Sequence, residues 1–175
     1  MKKILFALFC AAIFAVSAQA QTIKVPFRNS DDTKSYWPFA EKKFASADDV
    51  TEATVTLKNT KYKFGLESDF HIYLNSKEGL MFGGADGNFM KLPAVKGKTL
   101  VKVSVKYGAA GYLGRLAVTD ATGNICYGGD IAPKIPNANY VHTWEISGVK
   151  KGKPLFLTVT HDSVVKMKEL VLVYE

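Results

Sequence analysis

Apolar and polar residues alternate along most of this chain, and the longest run of the pattern is KTLVKVSVKY at residues 98–107. Val101, Val103, Val105 and Tyr107 fall on one face, while Lys102, Ser104 and Lys106 fall on the other. That period of two belongs to a half-buried antiparallel strand. The pattern returns at residues 155–161, where Leu155, Leu157 and Val159 alternate with Phe156, Thr158 and Thr160. Further strands are predicted at residues 23–27, 53–57, 62–66, 72–74, 80–83, 88–92, 116–119, 125–128, 143–146 and 167–174. Asn59-Thr60-Lys61, Asp86-Gly87-Asn88 and Asp120-Ala121-Thr122-Gly123-Asn124 separate several of them with residues that tolerate left-handed backbone or bond it locally. Many short strands at this spacing predict an all-β fold, a two-sheet antiparallel β-sandwich. No window carries sustained helical spacing; residues 37–50 are expected to make one or two helical turns at most.

If each strand runs antiparallel to the next, the loops alternate between two rims. Counting back from the last strand, one rim collects Asp69, Asp86, Tyr112, Asp130, Tyr140 and Asp162. The other collects lysines: Lys61, Lys77, Lys96, Lys98, Lys150, Lys151 and Lys153. An echo supports equivalent turns there, since Val95-Lys96-Gly97-Lys98 and Val149-Lys150-Lys151-Gly152-Lys153 each lead into a long alternating strand. Two copies do not make a solenoid.

The first twenty residues stand apart. Lys2 and Lys3 precede an apolar run from Ile4 to Val16, and Ala18-Gln19-Ala20 offers a small-x-small cleavage pattern. The run is shorter than the roughly 20 residues a membrane span needs. A signal peptide cleaved after Ala20 is expected, with residues 21–175 as a single secreted or periplasmic domain. Cys10 lies inside the apolar run behind bulky Phe9, so lipidation is not expected. Cleavage leaves 21 of the 23 Lys and Arg against 16 Asp and Glu, a formal charge of +5 instead of +7. It also leaves Cys126 as a single cysteine, which excludes an internal disulfide and is expected to be a buried, inert thiol. A chain of about 150 residues buries roughly 68–70% of its unfolded surface, enough for a core without staples.

Catalytic signatures are missing. His71, His142 and His161 lack metal-ligand spacing, and neither G-x-S-x-G nor H-E-x-x-H occurs. The loop Gly83-Gly84-Ala85-Asp86-Gly87-Asn88 lacks the lysine and following helix of a phosphate cradle. Asp86 and Asn88 offer two oxygen ligands where calcium takes six to eight. Neither a metal nor another cofactor is expected, and no enzymatic activity. With two arginines, Arg28 and Arg115, and lysines scattered over turns, the chain is not expected to bind nucleic acid, nor to insert stably in a membrane.

The VVKMKELVLVY segment ending at Tyr174 resembles the closing strand of galactose-binding-like jelly rolls. Leu80-Met81-Phe82-Gly83-Gly84 followed by Phe89-Met90-Lys91-Leu92-Pro93 resembles small β-sandwich modules of secreted bacterial proteins. The resemblance covers roughly residues 50 to 175 and implies jelly-roll topology and a non-catalytic carbohydrate-binding role. Many members of that superfamily carry a structural calcium; this chain has two tryptophans and no evident calcium loop.

Sugars stack their C–H faces on aromatic rings and present hydroxyls to carboxylates and amides. On that chemistry the expected ligand-binding residues are Tyr112, flanked by glycines and alanines, Asp130, Asn139 and Tyr140 of a long loop, Trp37, and Asp86. The expected partner is a glycan bound at one rim. The rival is a structural or interaction module that meets a secreted or cell-surface protein through a sheet face or edge.

Overall fold

A computed structural model describes residues 19–27, 50–69, 71–75, 77–109 and 114–175, with only the backbone for His71 and Asn75. The described residues contain no helix and eleven strands: β1 (Gln21–Pro26), β2 (Thr51–Leu57), β3 (Thr60–Glu67), β4 (His71–Asn75), β5 (Gly79–Gly83), β6 (Phe89–Lys91), β7 (Leu100–Tyr107), β8 (Leu116–Thr119), β9 (Val141–Glu145), β10 (Phe156–Val159) and β11 (Val164–Tyr174). They form two antiparallel sheets packed as a sandwich, in order β4-β5-β11-β7-β9 and β2-β3-β6-β10-β8, with β1 also on β11. The expected all-β sandwich is what the chain builds. Among the described residues no helix is long and apolar enough to cross a membrane.

Alternation sets the core. Val103, Val105 and Tyr107 of β7 are fully buried, as are Leu157 and Val159 of β10. β11 is the long central strand of its sheet, and one of its edges is shared by two partners. β5 pairs with Val164–Met167 and β1 with Glu169–Tyr174. The bulge at Lys168 marks the handover: its carbonyl accepts the Phe27 backbone N–H at 2.7 Å. The extra residue shifts the inward set from Val165 and Met167 to Leu170, Leu172 and Tyr174.

Every expected strand has a counterpart except residues 125–128, which contribute a single bridge from Ile125 to Thr119. Gly128, at φ 79°, turns the backbone out of the extended form, and a Cβ there would fall on the Glu145 carbonyl oxygen. The segment still lines the β8 edge: Cys126 N–H donates to Val118 O, Val118 N–H to Gly129 O, and Ala132 N–H to Leu116 O. Expected helical turns at residues 37–50 lie outside the described residues apart from Val50, and so does the leader apart from Gln19 and Ala20.

The pairings run consecutive strands antiparallel throughout, once residues 125–132 serve as the return between β8 and β9. One rim therefore carries Asp69, Asp86 and Asp162: the Asp86 N–H donates to Asp162 Oδ1 at 2.9 Å, and Asp69 N–H reaches Asn88 Oδ1 at 3.3 Å. The opposite rim gathers Lys98, Lys150 and Lys153 around one hollow. Lys77 departs from its expected rim. The β4–β5 hairpin covers only half the height of β11, so its turn ends mid-sheet, where Lys77 lines a hollow with Lys24, Lys106 and Lys168.

Candidate functional site

The residues singled out in the sequence do not assemble into one cluster. Tyr112 and Trp37 lie outside the described residues. Asn139, at φ 71°, donates its N–H to Tyr107 O at 2.9 Å and accepts from Lys168 Nζ at 3.2 Å. Next to it, the half-buried Tyr140 ring stacks on Tyr107 at 6.1 Å. Asp130 belongs to a different level: its carbonyl accepts the Trp144 indole N–H at 2.7 Å, and Trp144 is paired with Val103, four residues along β7 from Tyr107. Asp86 is exposed on the acidic rim. Asn88, its neighbour in the calcium reading, is buried with Oδ1 taken up by the Ala85 and Asp69 N–H groups. Among the described residues no three His, Cys, Asp or Glu side chains gather as metal ligands would.

Tyr107, Tyr140, His142 and Trp144 form a file of rings along the β9 side, with His142 edge-on to Trp144 at 4.5 Å. Burial pushes the His142 imidazole below its ordinary pKa. Among the described residues the buried Tyr107 hydroxyl has no hydrogen-bond partner, and burial, followed by the neighbouring Tyr140, pushes its pKa upward. This file faces the core, so it is packing rather than a binding surface.

An open surface lies on the outer face of the second sheet. Strand register lines up two rungs of outward side chains there: Lys91, Phe156, Thr119 and Ile125 in one, Glu67, Phe89, Thr158 and Ala117 in the other. Phe89 and Phe156 meet edge to face, centroids 5.3 Å apart at 84°. Beside them the surface drops to Ala117 and Thr119, which are buried at 0% and 4% although they face outward. Thr119 and Thr158 join their hydroxyls at 2.7 Å, and Ile125 and Ile131 stand on the far side, about half exposed. The result is a trough of about 590 Å³, bounded by Asp86 at the acidic rim and Asp120 at the lysine rim. That size lies within the range of about 300–1,000 Å³ typical of ligand sites.

Protein-family models, curated proteins and solved structures offer no match to this chain. A β-sandwich hosts many unrelated functions, so the chemistry of the surfaces decides between them.

A second hollow, of about 430 Å³, adjoins the trough where Asp120 and Ala121 line both. Tyr127 stands over it at 82% exposure, the most open large apolar side chain among the described residues. Asp120 Oδ1 accepts the Thr122 N–H, the Thr122 hydroxyl and the Asn124 N–H, and these bonds hold its carboxyl below the ordinary carboxylate range. Cys126, expected to be buried, is half-buried on the wall of this hollow. Desolvation, then the Asp120 charge, pushes its thiol up, which keeps it a poor nucleophile at neutral pH.

Phe89, Phe156 and Tyr127 were not among the expected binding residues, yet the sequence carried a signal for two of them. Phe156 falls on the Thr158–Thr160 side of its strand, and Phe89 is out of phase with core residue Met90. One exposed ring on the polar phase of a strand is ordinary, whereas two in contact on adjacent strands make an apolar patch.

Proposed function

We propose that this protein is a non-catalytic module that holds a glycan chain in the trough on the outer face of β6, β10 and β8. The observation that carries the reading is the Phe89–Phe156 ring pair beside a floor of small residues. A pyranose lays its C–H face on such a ring, and the trough ends supply carboxylates for its hydroxyls. The site stands on strands rather than on mobile loops, so little conformational entropy opposes binding. Asp86 and Asp120 are separated by the length of β8, roughly 13 Å at 3.3 Å per residue.

Jelly-roll winding of the galactose-binding-like kind draws support from the strand order. From β5 to β11 the chain crosses between sheets at each step, giving β5-β11-β7-β9 against β6-β10-β8, with the Ile125 segment beside β8. The proposal also takes residues 1–20 as an export leader and the domain as secreted or periplasmic.

Glycan-array screening with and without calcium tests the reading. The unaltered chain should bind a glycan, and Phe156→Ala should abolish that signal while lowering the melting temperature by only a few degrees, because the ring lies on the outer face. Glycan binding unchanged in Phe156→Ala would remove the trough from consideration. The half-exposed Ile125 and Ile131 favour the rival, a protein partner on the same face. An array silent for every glycan is the outcome that reading expects.

A further inference from the structure

The hollow beneath Tyr127 is chemically unlike the trough it joins. Lys150 and Lys153 line it, both side chains exposed and neither in an ion pair among the described residues. They stand at the two ends of one tight turn, closed by the Lys153 N–H donating to Lys150 O at 3.2 Å. Gly152, at φ 75°, makes that turn possible. Val149 and Pro154 supply apolar wall between them. The one carboxylate present, Asp120, has Oδ1 occupied by its own loop. Two ammonium groups, an open phenol ring and an apolar wall together match a sugar that carries a negative charge.

We infer that the trough continues over Asp120 and Ala121 into this hollow, and that the hollow takes an acidic sugar residue of the bound chain. The ring of that residue lies on Tyr127, and its carboxylate sits between Lys150 and Lys153. The inference rests on the glycan-binding reading and adds the class of glycan: a uronate-containing polysaccharide.

Titration calorimetry with an oligogalacturonate and its methyl ester tests the point, since the two share a backbone and differ in charge. The acid form should bind at least about tenfold more tightly, the scale of one well-formed charge-assisted contact. Lys150→Ala/Lys153→Ala should reduce acid binding to the ester's level. Lys96→Ala/Lys151→Ala, which removes the same charge from exposed rim positions outside the hollow, should leave the preference in place. Equal losses in the two double variants would mean diffuse attraction and overturn the inference. Equal affinity for acid and ester, with both lost in Phe156→Ala, would overturn it while leaving the glycan reading intact. Acid binding that survives Phe156→Ala but not Lys150→Ala/Lys153→Ala would keep the acidic site and defeat the trough.

Discussion

Tyr107 and Tyr174 are two core phenols with opposite circumstances. The Tyr174 hydroxyl donates to Pro93 O at 2.6 Å, whereas the Tyr107 hydroxyl has no partner among the described residues. A buried polar group without a bond carries its full desolvation cost. Tyr107→Phe should therefore raise stability by about 1 kcal/mol, and Tyr174→Phe should lower it by about 1–3 kcal/mol. Denaturant unfolding of the two variants checks the pair, and a destabilised Tyr107→Phe would show that the hydroxyl is satisfied after all. The same residues mark what was readable beforehand. Period two told which side of β7 faces the core, and Tyr107 followed that rule. Whether its oxygen would find a donor or acceptor depends on Tyr140 and the neighbouring strands, which no local pattern encodes.

Residues 125–132 behave as an edge ribbon that never settles into a strand. Gly128 and Gly129 are the cause, since each backs onto a backbone carbonyl, Glu145 O and Val118 O respectively. Gly128→Ala would add both a clash and a strained φ, so a loss of at least about 2 kcal/mol is expected, from the combined cost of left-handed backbone and overpacking. Chemical denaturation measures it; a loss below about 0.5 kcal/mol, the size of an ordinary surface change, would contradict the described packing. The alternating pattern predicts a strand at residues 125–128 because Ile125 and its apolar neighbours look like one. What the pattern missed is that the glycine pair lets the chain press against β8 while bending away. The half-height β4–β5 hairpin is a similar case. Strand count placed its turn at the lysine rim, but strand length, set by competition with β1 for the same edge of β11, decided otherwise.

Across the molecule, the rim of the Asp69, Asp86 and Asp162 loops and that of Lys98, Lys150 and Lys153 were legible because antiparallel neighbours leave little choice, whereas Lys77 and Asp130 fall elsewhere. The trough was not legible, because it needs the outward residues of four segments to be in register, and register is a property of the assembled sheet. Global stability carries a pH signature of the same assembled kind. His142 is packed among Tyr140 and Trp144, and its folded pKa is lowered, so the unfolded chain takes up the proton first. Stability should be constant above the ordinary histidine value of about 6.5 and fall as pH drops below it. Asp120, held below the carboxylate range, acts in the same direction only at more acidic pH. Thermal unfolding between about pH 7.5 and pH 5 should show a steeper loss for the unaltered protein than for His142→Gln. Parallel slopes would refute the assignment.

β11 lies between β7 on one side and β5 with β1 on the other, so the first sheet has no middle until the final strand arrives. The hairpins β2–β3 and β4–β5 pair neighbours in the chain and can form early, whereas β1, β5 and β7 all wait for β11. Three of that sheet's pairings therefore form together, when β11 inserts between β7 and the edge shared by β5 and β1.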